Sequence, residues 1–505
     1  MVREHVLDNR RAVCGQEFQE YVRYGIAGHK GSVNITNLKQ EYLDDLLRYN
    51  CLDVRYGLQW KMDQDAEMDA GLSQAYSLFH EAVPVLASCT VRGINVDAEA
   101  LDTFEAEISG QLIETNKTGN MKCLKQFEKD YGKEWDIGNH NDRKNLFFGT
   151  LGLKPTKPTA SAENDKDWQD DPLKCGSDQA NLAACLSQVD EGSEAAILLK
   201  ACTDQGKLDK LLGTYIRGSI RDQRKSDGCV HPWFHLHKVQ TYRSSSSDPN
   251  FQNFPKRDGE QAKVRQLLIP RNDVFIEADY SGAEVRTLAC RTRDAQLCKH
   301  IRDDRDFHKY YAALLYEVDE EEVDKAMRFD GKNGFIFPEF YSSRHASIAR
   351  KNPQWRAARV EEVERMLWKD MPDVRGWQDA TEAEYLRDGY IRLLTGFIVR
   401  FGDMGMLSRF QLSNWPMQGP AFHRLLRALI DSENEMRRRN MKSVICGQIH
   451  DSIVTDAVAD EVDEVIELQR DIMKRPVWDW CKAVPWEAEF SVGPNMIDMK
   501  EQEIA

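Results

Sequence analysis

Residues 274–286, VFIEADYSGAEVR, limit what this chain can fold into more than any other stretch. An apolar run rises to one aspartate, Asp279, and a segment with helical spacing starts at Ser281-Gly282. That pattern places a carboxylate at the end of a strand, on the lip of a sheet. Far downstream, residues 443–455, SVICGQIHDSIVT, read as two short strands joined by a tight turn at His450-Asp451. If both stretches lie in one sheet, Asp279 and Asp451 meet at its edge. Two carboxylates held that close repel unless a divalent cation sits between them. The expectation is a chain that builds a site around that metal.

At 505 residues the chain is too long for a single core and should divide into subdomains. No apolar run approaches the roughly 18 residues of a membrane span. The basic start MVREHVLDNRRAV lacks the apolar core of a secretory signal. The 12 cysteines are scattered, without C-x-x-C pairs or histidines at zinc spacing. They read as reduced thiols in a cytoplasmic protein. The net charge of −15 argues, taken alone, against nucleic acid as a partner. It does not exclude one, because phosphate binding follows the local potential of a groove.

In chain order, residues 32–46 read as a linker followed by a helix that continues through YNCLDVRYGLQWKM. There Tyr49 and Asp53 share a helix face. Such a pair serves a metal-dependent nuclease only alongside further acids upstream; otherwise the two are simply neighbours on a helix. Residues 64–115 read as helices with a turn at residues 91–97, where Gly93 supplies a positive φ and Asp97 an N-cap. Residues 155–180 read as a polar surface loop. From 195 to 225 the chain is helical and turns basic, with seven Lys/Arg against three Asp between Lys200 and Lys225. That run is either a solvated face or a surface that grips a duplex. Residues 240–255, QTYRSSSSDPNFQNFP, interleave Tyr242, Phe251 and Phe254 with amides and hydroxyls. This suggests a docked loop suited to a sugar-phosphate backbone.

Asp306-Phe307-His308-Lys309 opens a further helix. In residues 328–341, Arg328 and Lys332 are four apart, as are Phe337 and Tyr341. A cationic face beside an aromatic one suits a nucleotide, with charge for the triphosphate and a ring for the base. Gly331, Gly334 and Pro338 predict a kink or bulge there. Residues 354–388 read as amphipathic helix broken near Pro372, and residues 389–401 as two strands around Thr395-Gly396. A long helix starts at Asn414 and runs to about Arg439, and another covers about 460–474. The alternation of Trp486, Ala488, Phe490 and Val492 with Glu487, Glu489 and Ser491 predicts a half-buried terminal strand.

Taken together, RGINVD, LDKLLGTY, TYRSSSSDPNFQNFP, DYSGAEVR, DFHK, the Arg328…Lys332…Tyr341 segment, NWPMQG and QIHDS resemble the family A DNA polymerases, of the bacterial DNA polymerase I and phage replicative type. The resemblance covers nearly the whole chain, with the motifs in order. It implies an α+β right-hand polymerase fold: an antiparallel palm sheet with helical thumb and fingers, plus a remnant of an exonuclease domain. The implied division is residues 1–63 for the C-terminal remnant of a 3′–5′ exonuclease-like domain, 64–240 for the thumb and connecting region, 241–300 for the first part of the palm, 301–405 for the fingers and 406–505 for the second part of the palm.

The resemblance also implies roles. Asp279 and Asp451, with the Tyr280 carbonyl, would hold two magnesium ions, and Lys332 would join the two aspartates as catalytic. Arg328, Lys332 and His308 would contact the triphosphate of a dNTP, beside Ser281 and Gly282. Phe337 would lie beside the incoming sugar and Tyr341 at the templating position, while Glu284 would exclude a ribose 2′ hydroxyl. Arg243, Asn250, Gln252, Asn253, Asn414, Gln418, Gln448 and His450 would touch primer-template DNA, and Lys207 and Lys210 would grip it from the thumb. Minor-groove acceptors are shared by all base pairs, so such contacts test pair shape without reading sequence.

The chain departs from the family pattern in four places. Phe337 stands five residues after Lys332 rather than four; either a one-residue π-bulge absorbs the difference, or Lys332 or Phe337 is out of register, with Phe335 or Ile336 in the ring position. Arg409 is five rather than four before Asn414. Ser452 replaces the usual acid after the second aspartate. Tyr49 and Asp53 match the last motif of a proofreading domain without its earlier acids, so the expectation is a truncated chain or the polymerase half of a split enzyme, with a separate exonuclease subunit as partner. The expected activity is DNA-directed DNA polymerisation in replication, in the host cytoplasm if the chain is phage-encoded. A single-subunit RNA polymerase and a catalytically inactive DNA-binding or processivity subunit are the alternatives.

Overall fold

The structure is a computed structural model, and it describes residues 2–10, 15–25, 42–116, 121–163, 165–256, 259–401 and 408–502. Its centre is a five-stranded antiparallel sheet. Val274–Tyr280 lies in the middle, flanked on one side by Ser452–Ala457 and Val444–Ile449 and on the other by Ala488–Gly493 and Lys500–Glu501. The two stretches that carry Asp279 and Asp451 are therefore neighbours. Ser452 pairs with Asp279, and the alignment continues to Ala457 opposite Val274.

The alternation along Val274–Tyr280 explains which way Asp279 points. Ile276, Ala278 and Tyr280 pack into the large core beneath the sheet, with Ile453, Phe490 and the helix Arg409–Arg438. The Tyr280 hydroxyl donates to the Met473 carbonyl at 3.0 Å, and buried Arg424 donates to the same carbonyl at 2.7 Å. With the even-numbered residues anchored there, Phe275, Glu277 and Asp279 face the other way. Phe275 belongs to the second core, with Phe251, Phe254 and Val454. Gly447 lets that core form, because a Cβ there would come within 2.8 Å of the Phe251 ring.

The helices and strands follow the sequence reading, apart from the following differences. The turn at 91–97 includes a short strand, Ile94–Val96, sandwiched between Cys229–Val230 and Leu268–Ile269. Gly93 there has φ +68°, and the Asp97 side chain accepts from the Ala100 N–H at 2.9 Å. The loop at 240–255 contains a strand, Ser245–Ser247, paired with Trp233–His235. The long helix begins at Arg409 rather than Asn414, so Pro416 and Pro420 lie inside it. Nearly all of that stretch is buried, and tertiary packing outweighs local propensity. The strand Ala488–Gly493 is not terminal, since Lys500–Glu501 pairs along it.

The basic run lies on the helix Glu194–Asp209 and its π-wound continuation Lys210–Arg221. The linker expected before the helix Leu43–Glu67 falls largely outside the described residues. Among the described residues every cysteine is a free thiol, and no helix is long and apolar enough to cross a membrane.

Phe490 is fully buried in the sheet's lower core. Phe490→Ala is expected to lower unfolding free energy by about 3–5 kcal/mol in urea melts. A loss below about 1 kcal/mol would mean that this face is not packed as described.

Candidate active site

Asp279 stands at the sheet lip between Ser452 and Glu489, its partners on the two adjacent strands. The turn after Ile449 puts His450 at φ +51°, a left-handed conformation that costs a non-glycine residue about 1–2 kcal/mol. This sharp reversal presents Asp451 next to Asp279, with the Tyr280 N–H donating to the Asp451 carbonyl at 3.2 Å. Burial first, and the Asp451 carboxylate second, push the Asp279 pKa up to about 8. Its Oδ1 is buried without a hydrogen-bond partner.

Two further acids lie beside the pair. Glu277 is held by Lys256 Nζ at 2.9 and 3.1 Å and by the Ser452 hydroxyl at 3.1 Å. Glu489 accepts from the Ser281 hydroxyl at 2.7 Å. Among the described residues no three His, Cys, Asp or Glu side chains form a ready-made metal cage. The donor set is a carboxylate pair, open toward a cleft. Hard oxygen ligands with open positions suit a magnesium-like ion whose remaining ligands come from water and phosphate. An orphaned buried carboxylate oxygen and a proton retained near neutral pH are what such a pair shows without its cation. The residues fit a divalent ion.

The cleft has a volume of about 1270 Å³. Asp279, Tyr280, Ser281, Gly282, Glu284, His308, Arg328, Lys332, Phe337, Tyr341 and Asp451 all line it. Its far wall is the segment Lys325–Phe340, which winds as one α turn, a π turn over Gly331–Ile336, and another α turn, Phe337–Phe340. The π turn accommodates one extra residue. Lys332 and Phe337 therefore both reach the cleft although they are five apart, with Lys332 Nζ 5.6 Å from the Phe337 ring centroid. Phe335 and Ile336 are fully buried, which leaves Phe337 as the ring on the cleft side.

Local chemistry explains the winding. Pro338 has no N–H to offer the Gly334 carbonyl; the Asn352 side-chain amide donates to it instead, at 3.2 Å. Gly334 must be glycine, since a Cβ would lie 2.7 Å from Asn352 Oδ1 and 3.0 Å from Trp355.

The cations on this wall are partly engaged. Arg328 pairs with Asp306, which also caps its own helix at Lys309 N. The His308 ring stacks at 6.1 Å from Phe337 and is largely buried. Burial, then Lys332 and Arg328, pull its pKa down to about 3, so it is a neutral donor rather than a third cation. Glu284 is fixed from two sides, by Arg243 Nη2 at 2.6 Å and by the Tyr341 hydroxyl. Asn414 lies against that hydroxyl.

The DNA-contact candidates are not all surface groups. Asn250, Asn253 and His450 are exposed and Gln418 is half-buried, but Gln252, Gln448 and Asn414 are buried. Gln448 Oε1 accepts from Ser244 at 2.6 Å and from Gln252 at 2.7 Å, and its Nε2 donates to the His450 carbonyl. These two glutamines support the loop and the aspartate turn from beneath. Lys210 is exposed, with Nζ 5.8 Å from the Tyr215 ring, and Lys207 is half-buried. Arg217 and Arg221 of the same run are neutralised by Glu105 and Asp102. Arg409 pairs with Glu382. Tyr49 and Asp53 lie half-buried on Leu43–Glu67 and do not line the cleft. Glu489 and Lys351 also line the cleft without having been singled out. Only the alternation in residues 486–492 hinted at Glu489.

The raised Asp279 pKa fixes a sign. Its folded value lies above the ordinary carboxylate value, so the folded protein holds an extra proton between about pH 4 and pH 8 and loses stability as pH rises through that window. In chelator, Asp279→Asn is expected to be more stable than wild type at pH 8 by more than about 1 kcal/mol. The gap should vanish below about pH 4, and magnesium should narrow it by stabilising only the wild type. Parallel melts of the two proteins across this range check it.

Three comparisons with known proteins agree. Residues 109–498 match the model for DNA polymerase family A. DNA polymerase I of Geobacillus stearothermophilus is 26% identical over 425 residues, 82% of this chain and 45% of that protein. That of Caldicellulosiruptor bescii is 26% identical over 519 residues, 99% of this chain and 55% of that protein. The chain spans about half the length of these relatives. The POL domain of Pol1 from M. smegmatis, solved in complex with DNA primer-template and dNTP, superposes with a TM-score of 0.79 at 19% identity, covering 98% of this chain and 81% of that one. This likeness bears out the α+β right-hand fold. With more than half of its length matched, the chain belongs to DNA polymerase family A.

Proposed function

We propose that the chain is a DNA-directed DNA polymerase that joins a dNTP to a primer 3′ hydroxyl. The observation that carries this reading is one cleft with a carboxylate pair on one wall and a cationic, aromatic helix on the other. In this reading Arg328, Lys332 and neutral His308 orient the triphosphate, and the Phe337 ring packs on the sugar. Tyr341 and Glu284, locked to each other and to Arg243, shape the floor where a 2′ hydroxyl would fall. Asp279, Asp451 and the Tyr280 carbonyl would hold two magnesium ions, which when bound supply charge stabilisation for the attacking and leaving oxygens. The central sheet is then the palm, and the basic run with Lys207 and Lys210 the thumb's hold on the duplex. The exposed Asn250, Asn253 and His450 face the primer-template.

The retained acid pair speaks against an inactive DNA-binding subunit. The pinned Glu284 speaks against an RNA polymerase.

Primer extension on a defined template tests the proposal. Wild type should extend with dNTPs and not rNTPs. Asp279→Asn and Asp451→Asn should each lose at least about a thousandfold, the equivalent of ~4 kcal/mol in the barrier. Wild-type-like extension by either variant would refute the assignment. Phe337→Tyr should ease dideoxynucleotide incorporation; an unchanged ratio would remove Phe337 from the sugar position.

A further inference from the structure

Glu339 lies on the single turn Phe337–Phe340, between the two cleft-facing rings, Phe337 and Tyr341, but it does not line the cleft. Its side chain is fully buried, and neither carboxyl oxygen has a hydrogen-bond partner. Three elements enclose it. The helix Ala357–Asp370 contributes Glu364 and the Trp368 indole, whose Nε1–H lies toward the carboxyl without closing a hydrogen bond of good geometry and favours its charged form. The helix Pro372–Asp388 contributes Arg375, and the approach to His345–Lys351 contributes Arg344.

These neighbours do not neutralise it. The Glu364 carboxylate accepts from His345 N at 3.2 Å and pairs with His345 Nδ1 at 2.6 Å, and its charge opposes ionisation of Glu339. Arg375 Nη1 donates to Gln378 Oε1 at 2.8 Å. Gln378 Nε2 in turn donates to the carbonyls of Glu339 and Phe340 at 2.8 and 3.1 Å. The backbone of the turn is thus held firmly, while the carboxyl has no counter-charge in contact. A buried carboxyl in that position is sustained as the neutral acid. Burial, then the Glu364 charge, push its pKa up to about 9.

We propose that Glu339 is a positioning residue, held as the neutral acid behind the nucleotide-facing turn, and that its ionisation displaces Phe337 and Tyr341 and so weakens nucleotide binding. The mechanism is repulsion from Glu364 in a dry site, relieved by moving the turn. The functional part rests on the polymerase reading above; the protonation state does not.

The test compares wild type with Glu339→Gln, which keeps the shape and removes the charge. The dATP dissociation constant on a primer-template complex is measured by calorimetric titration from pH 6.5 to 10. Wild type should weaken above about pH 9, approaching tenfold per pH unit. Glu339→Gln should bind within about twofold of wild type at pH 7 and lack that added loss. Glu364→Gln removes the repelling charge, so its loss of binding above pH 9 should be smaller than that of wild type. A second readout needs no nucleotide. The folded wild type holds an extra proton between about pH 4.5 and pH 9, so Glu339→Gln should gain in Tm over wild type as pH rises through that window. Identical pH profiles for wild type and Glu339→Gln, alongside normal extension at pH 7, overturn this proposal alone. A Tm gap with an unchanged binding profile overturns the link to nucleotide. Absence of both extension and dATP binding in wild type at pH 7 overturns the polymerase reading and the positioning role together.

Discussion

Like-charge repulsion at the lip of one sheet is the constraint on which the rest of the structure depends. Asp279 and Asp451 are brought together by strand register and by a left-handed turn at His450, against the electrostatic preference of the two acids. The sheet can impose this because its other face is strongly anchored. Tyr280 and Arg424 converge on one carbonyl, and the helix Arg409–Arg438 shares the core beneath the sheet. A fold that holds two acids together in this way stores a demand for positive charge. The open side of the pair determines where that charge can enter.

The opposite wall carries cations that face the pair across the cleft. Its cations and rings depend on a π turn in which two glycines allow close packing, and the carbonyl freed by Pro338 is satisfied by Asn352. Glu284 connects the two walls through Arg243 and Tyr341. Behind the same turn, Gln378 fixes the backbone and Glu339 contributes a carboxyl that tolerates no charge. The cleft is therefore electrostatically layered: acids on the sheet lip, cations opposite, and a neutral buried acid behind them.

Much of this was legible in the sequence because it rests on short-range patterns. The run ending at Asp279 and the paired strands around Asp451 announce their own geometry. Gly331, Gly334 and Pro338 announce the irregular winding that carries Lys332 and Phe337 to the same cleft. What could not be read depends on contacts between distant segments. Gln252 and Gln448 have the composition of surface recognition groups, yet they bond each other across 196 residues beneath the surface. Arg217 and Arg221 look like part of a free basic stripe until Glu105 and Asp102 come beside them. The strand Ile94–Val96 exists only because its two partners arrive from 230 and 268, and three residues are too few to show a period. Glu339 has the look of a solvated helix residue; only the packing of three helices shows that it is buried.

The central claim is that Asp279 and Asp451 form a cation site completed by a nucleotide. Its most direct test is a crystal of the chain with primer-template, a non-hydrolysable dNTP and manganese, measured for anomalous scattering. The account predicts two peaks about 4 Å apart between Asp279, Asp451 and the phosphates, with Lys332 and Arg328 on the triphosphate. A nucleotide bound with no peak between the two aspartates would contradict it.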